Sequence, residues 1–184
     1  MGKNFYNNKV SVNPNKIASR NMVFLELRKH FDKNKAITVC SMPGAYYSSK
    51  KSSYFENQVL NRFKRSTIVA VEWNKDVAIK LAPMLPKRCR LINGRISSVR
   101  PYDIDAIWID LCGALSKELI SYLHDIKIYG PQFFAITVGG RSKEGLKLSK
   151  QEDIINEIFK SWRLKAFFPY ENNGCPMRTF IFTR

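Results

Sequence analysis

Apolar positions in this chain cluster in seven short runs: 36–40, 66–71, 88–92, 104–109, 132–138, 163–169 and 177–183. Their length and β-branched content read as strands. Between most of them the apolar spacing switches to three and four, the period of a helix with one buried face. Ile17, Phe24, Leu27 and Phe31 mark such a face over 13–34, with Lys16, Arg20, Arg28 and Lys29 largely off it. Asn13-Pro14 supplies an N-cap followed by proline at the first helical position. Ser53-x-x-Glu56 reads as a capping box for a helix whose apolar side is Phe55, Val59, Leu60 and Phe63. Asn74 caps a helix over 75–82 that Pro83 ends, and further helices are predicted over 116–126 and 152–162.

Strands alternating with helices predict a parallel sheet with right-handed crossovers. Nearly continuous apolar strands predict helices on both faces, a three-layer αβα sandwich. The last two runs break the alternation. Only the turn-rich stretch 170–176 links them, and a parallel pairing would need a crossover of about a dozen residues. They must form an antiparallel hairpin at the end of an otherwise parallel sheet.

The length suits one domain over 1–184: a basic arm (1–12), an N-terminal helix (13–34) and an α/β core (36–184). Formal net charge is +16, and residues 1–65 hold 13 Lys/Arg against Glu26, Asp32 and Glu56. That surplus favours a polyanionic partner, nucleic acid above all. No C-x-x-C pair occurs among Cys40, Cys89, Cys112 and Cys175, so no metal site is expected and buried free thiols in a cytoplasmic protein are the reading. The polar start and the absence of a long apolar run argue against a signal peptide or a membrane partner.

In an open α/β sheet, ligands bind at the carboxyl ends of the strands, where strand order reverses. Four strand ends carry candidate chemistry. The first has Ser41-Met42-Pro43-Gly44, where Gly44 allows close backbone approach or simply makes a Pro-Gly turn. The second has Glu72, a carboxylate able to accept both hydroxyls of a ribose, then Trp73, a core residue or a cover for an adenine face. The third has Asn93-Gly94, a base-edge reader or a turn. The fourth has Asp110-Leu111-Cys112-Gly113, whose carboxylate either orients a nucleophile or caps the next helix.

Two loops at this end add basic and aromatic residues. Tyr46 and Tyr47 suit stacking on an unpaired base, with Lys50 and Lys51 for phosphates. Arg141 and Lys143 extend the basic rim after the fifth strand.

The hairpin-terminated sheet together with these strand-end residues resembles the class I S-adenosylmethionine-dependent methyltransferases. The resemblance implies a Rossmann-like sheet of order 3-2-1-4-5-7-6 with S-adenosylmethionine as cofactor. It places Ser41, Pro43, Gly44, Glu72, Trp73, Asn93, Gly94 and Asp110 around that cofactor, with Asp110 as the catalytic residue. Two departures stand out: Ser41 replaces the acidic residue usual at the end of strand one, and its Gly-x-Gly turn is reduced to Gly44. No Gly-x-Gly-x-x-Gly supports a nicotinamide site. The expected activity is methylation of nucleic acid, RNA ahead of DNA, with a partner protein aiding substrate recognition in so short a chain. The competing readings are a catalytically silent methyltransferase-like module that binds nucleic acid or assembles a complex, and a small-molecule or protein methyltransferase.

Overall fold

The computed structural model describes residues 13–44, 54–111, 113–140 and 146–184. Seven strands form one sheet of order β3-β2-β1-β4-β5-β7-β6. They are β1 (Thr38–Ser41), β2 (Thr67–Glu72), β3 (Cys89–Asn93), β4 (Ala106–Asp110), β5 (Phe133–Gly139), β6 (Arg163–Asn172) and β7 (Cys175–Thr183). The first five pair in parallel, while β7 runs antiparallel to both β5 and β6. The hairpin is tighter than the sequence suggested. Asn173 and Gly174 both have positive φ (51° and 72°), the backbone of a two-residue turn whose twist matches its strands. The flanking strands therefore extend into the stretch read as loop.

Helices α1 (Pro14–His30), α2 (Phe55–Arg62) and α3 (Lys75–Leu81) cover one face, and α4 (Lys117–Tyr129) and α5 (Leu148–Ile158) the other. Alternate strand residues supply the two cores. Val39, Ile68, Ala70 and Trp108 meet Val23, Leu27, Phe55 and Val59 on the α1–α2 side. Cys40, Val69, Ile107 and Ile136 meet Leu119, Leu123, Ile155 and Phe159 on the other. Burial pushes the Cys40 thiol up to about 12, which makes it an inert core residue.

Helix starts follow the predicted chemistry at Asn13, whose side chain accepts from the Asn15 amide, and at Asn74, which accepts from Asp76 and Val77. Pro83 ends α3 in a 3-10 turn, Ala82–Met84. The start of α2 is assigned one residue later than the capping-box reading placed it. The N-cap of α2 is Tyr54, with no side-chain cap bond; Ser53 lies outside the described residues. The alternation of strand and helix also lapses once: β3 connects to β4 through two 3-10 turns, Ile96–Ser98 and Pro101–Asp103.

Arg88 closes the far end of α2. Its guanidinium donates to the carbonyls of Leu60, Phe63, Lys64 and Ser66 at 2.8–3.2 Å, acceptors that a helix end otherwise leaves to water. Arg88→Met should lower stability by about 1–3 kcal/mol, the scale of bonds to a charged donor at a partly exposed site. Urea denaturation checks it, and an unchanged midpoint would show the cap to be idle.

Candidate functional site

The sheet register creates a notch. Ser41, the last residue of β1, is level with Ala70 on β2 and one residue beyond the Cys40–Ile107 pair on β4. Glu72 and Asp110 therefore each project two residues past it, roughly 6–7 Å of strand. β1 and β4 are also where the strand order reverses, the place where α/β sheets bind ligands.

On one flank, Glu72 is buried at 5% exposure. Its Oε1 accepts from the Asn74 amide at 2.8 Å, and the Trp73 amide also donates to the carboxylate. Burial raises its pKa above the usual carboxylate value, against the pull of those two amides. Asn93 is its register partner on β3. The Asn93 Nδ2 and the Gly94 amide both donate to the Glu72 carbonyl, at 2.9 and 3.0 Å. These bonds hold the predicted ribose and adenine residues together. Trp73 corrects the core reading: it is 65% exposed, because the chain leaves the sheet at Glu72 before Asn74 starts α3.

At the floor, Gly44 has φ +74°, and a side chain there would meet nothing within 4 Å among the described residues. Glycine is needed for the left-handed backbone, not for close packing. Pro43 is buried. Ser41 is fully buried, and its hydroxyl donates to Glu56 Oε1 at 2.8 Å. The glutamate read as a helix-cap partner thus brings a carboxylate to the end of strand one, where this sequence carries none of its own. Burial is the largest influence on Glu56 and raises its pKa; the charge of Arg20 opposes that shift and Asp110 adds to it.

A carboxyl with a raised folded pKa binds its proton more tightly in the folded state. Its effect is therefore a loss of stability as pH climbs from the ordinary 4.5 through the folded value. Glu56→Gln keeps an acceptor for Ser41, so it should flatten the fall in melting temperature between acid and neutral pH. A slope identical to wild type would remove Glu56 from that account.

On the other flank, Asp110 Oδ2 meets the Lys16 ammonium at 3.0 Å, with both side chains 7% exposed. The other oxygen, Oδ1, is buried and has no hydrogen-bond partner among the described residues. Asp110 neither caps α4, whose N-cap is Ser116, nor faces water. Lys16 and Arg20 correct the sequence reading, which set them largely off the buried face. The buried stripe of α1 is Lys16, Ser19, Arg20, Val23 and Leu27, and Arg20 also lies 4.9 Å over the Tyr54 ring. The 4-3-4 spacing of Lys16, Arg20, Val23 and Leu27 was the signal available; their charge concealed it.

A chain of polar contacts fixes α1 in this position. Asn15 donates to the Glu171 carbonyl at 2.9 Å. Ser19 shares a hydrogen bond with Thr179, and Thr179 with Thr137, each at 2.9 Å. Across the notch, the buried Gln151 side chain accepts from the Leu115 amide and donates to the Leu146 and Gly139 carbonyls. It thereby clamps the segments that follow β4 and β5. Tyr46, Tyr47, Lys50, Lys51, Cys112, Arg141 and Lys143 lie outside the described residues.

Solved structures with this architecture are numerous. Magnesium protoporphyrin IX methyltransferase from Synechocystis, solved with S-adenosylmethionine, superposes with a TM-score of 0.69 at 8% identity, covering 100% of this chain and 86% of its own. The fold is that of the class I S-adenosylmethionine-dependent methyltransferases. A second neighbour with this methyltransferase fold is the 1,6-didemethyltoxoflavin-N1-methyltransferase of Burkholderia thailandensis, solved with S-adenosylhomocysteine. It gives 0.60 at 10% identity over 91% of this chain and 78% of its own. An S-adenosylmethionine-dependent methyltransferase from Aquifex aeolicus gives 0.54 at 12% identity over 92% and 97%. No protein-family model and no curated protein matches the sequence. No helix among the described residues is long and apolar enough to cross a membrane.

Proposed function

We propose that this chain binds S-adenosylmethionine in the notch and methylates a nitrogen or oxygen of nucleic acid, RNA ahead of DNA. The observation that carries the catalytic reading is the orphaned Oδ1 of Asp110. A buried carboxylate oxygen without a donor is costly, and this one stands at the end of β4, beside the point where the strand order reverses. The donor that fits is an N–H or O–H on the methyl acceptor.

The residues present suit the cofactor. The Glu72 carboxylate matches a ribose diol, Asn93 retains its side-chain oxygen for an adenine amino group, and exposed Trp73 offers a stacking face. The bound cofactor supplies an electrophilic methyl. The chain has to position the acceptor, receive its proton and exclude water. Asp110 would take the acceptor's hydrogen bond through Oδ1 and receive its proton, while Lys16 holds Oδ2 in place. The net charge of +16 supports a polyanionic acceptor.

One observation favours a second reading, a catalytically silent nucleic-acid-binding or assembly module. Ser41 is committed to Glu56 and Asp110 to Lys16, so α1 and α2 occupy polar groups that a working site needs. Trp73 provides the test between the two, since Trp108 and Trp162 are buried. S-adenosylhomocysteine should change Trp73 emission in wild type and leave Trp73→Phe silent. Labelled methyl should then pass to RNA in wild type but not in Asp110→Asn. Absence of cofactor binding in the folded protein establishes the silent module. Binding with transfer only to small molecules rejects the nucleic-acid acceptor.

A further inference from the structure

Parallel pairing places the starts of β1, β2 and β3 side by side at the end of the sheet opposite the notch. The segments entering those strands are basic. Lys33 precedes β1, Lys64 and Arg65 precede β2, Lys87 precedes β3, and Arg90 lies just inside β3; all five are exposed. Adjacent strands are about 4.8 Å apart, within the ~8 Å Debye length at physiological ionic strength. Their charges therefore add into one field. Among the described residues none of the five takes part in a salt bridge or a side-chain hydrogen bond. Two acids stand near these cations, Asp32, which accepts from the Asn34 amide, and Asp105, which accepts from the Thr38 amide, and the five cations outnumber them.

The same corner is concave. Only 3-10 turns link β3 to β4, and Thr67 and Arg90 are exposed at this edge of the sheet. A concavity of about 360 Å³ opens there, lined in part by Thr38, Thr67, Val69, Lys87 and Arg90. Thr38 and Thr67 share a hydroxyl contact at 3.4 Å in its wall. Hydroxyls and unpaired cations around an open groove fit phosphate oxygens.

We propose that this corner is a phosphodiester-binding band for nucleic acid, separate from the notch. It rests on the nucleic-acid reading above only for the class of partner. A β-strand of this length spans roughly 15–20 Å, so the band holds a flanking segment of the polymer and leaves the reacting nucleotide at the opposite end.

The test is fluorescence anisotropy of a labelled mixed-sequence single-stranded RNA against the full chain at several salt concentrations. The variant is Lys64→Glu/Arg65→Glu/Lys87→Glu/Arg90→Glu, with the four-fold Gln variant as a milder companion. Each lost phosphate contact should remove about 0.7 from the log–log salt slope. The Gln variant should thus lose about 3 in slope and on the order of tenfold or more in affinity near 0.1 M salt. Its melting temperature should equal or exceed wild type, because like-charge repulsion is relieved, and S-adenosylhomocysteine binding should be unchanged. Wild-type affinity and slope in both folded variants would overturn the band and leave the proposed activity standing. Absence of RNA binding by wild type would overturn the band and the nucleic-acid acceptor together. RNA binding displaced by anionic phosphatidylserine vesicles, through these same four residues, would replace nucleic acid with a membrane surface and overturn the proposal.

Discussion

Lys16→Met should destabilise the fold by about 3–5 kcal/mol near neutral pH, the cost of leaving one member of a buried ion pair uncompensated. The geometry sets the size of the effect. The Asp110 side chain is 7% exposed, and among the described residues Lys16 is its one ion-pair partner and its other oxygen lacks a donor. Removing the ammonium would leave a carboxylate buried with neither oxygen satisfied. The double variant Lys16→Met/Asp110→Leu should recover most of the loss, since a buried pair replaced by apolar groups of similar volume is often close to neutral. Urea titrations of wild type, both single variants and the double variant close the cycle. Near-additive losses would mean that the two groups do not interact in solution, and α1 would then be a covering helix and no part of the site. Coupling of the expected size makes the N-terminal helix a wall of the notch, and methyl transfer should disappear in every variant of the cycle.

Glu72→Gln carries the second large effect, and it falls on binding. A carboxylate accepting from a ribose diol contributes about 1.5–3 kcal/mol per charge-assisted bond. Affinity for S-adenosylhomocysteine should therefore drop about 10- to 100-fold or more, measured by calorimetry. Folding should not suffer. The glutamine oxygen can still accept from the Asn74 and Trp73 amides, and the buried charge is gone. Because burial raises the folded pKa of Glu72 above its unfolded value, the charged group weakens the fold as pH rises through that window. The variant should be at least as stable as wild type at neutral pH. Unaltered affinity in the variant would remove Glu72 from the cofactor site and with it the second-strand anchor of the proposed function. Loss of binding together with loss of stability would instead mark Glu72 as a structural residue of the β2–α3 turn.

These two expectations differ in how far the sequence foreshadowed them. Glu72, Asn93 and Asp110 are legible from sequence because each directly follows or ends an apolar run, and strand ends in a parallel sheet are where ligands bind. Lys16 is not legible in the same way. Its helix shows a plausible apolar face at Ile17, Phe24, Leu27 and Phe31, yet Ile17 and Phe24 are only half-buried while Lys16 and Arg20 go inside. A charged side chain is buried only when a compensating charge waits there, and that partner, Asp110, lies on another element far along the chain. Glu56 holds a contact hidden for a related reason. Ser-x-x-Glu is a local pattern, and a local pattern cannot reveal that Ser41 on the facing strand donates to Glu56.

What the sequence determined by itself is the architecture. Strand runs broken by helical spacing, asparagine caps at Asn13 and Asn74, a proline stop at Pro83 and the short turn-rich link over 170–176 specify a parallel sheet ending in an antiparallel hairpin. Each of these signals acts within a few residues, through backbone conformation or apolar periodicity, and so survives in the sequence as a pattern. Only the tertiary structure decided the site. It paired Lys16 with Asp110, brought Glu56 to Ser41, left Asp110 Oδ1 without a donor among the described residues and turned Trp73 outward. Those outcomes depend on strand register and on which helix docks where, and buried charge is governed by contacts between elements that no single stretch of sequence contains.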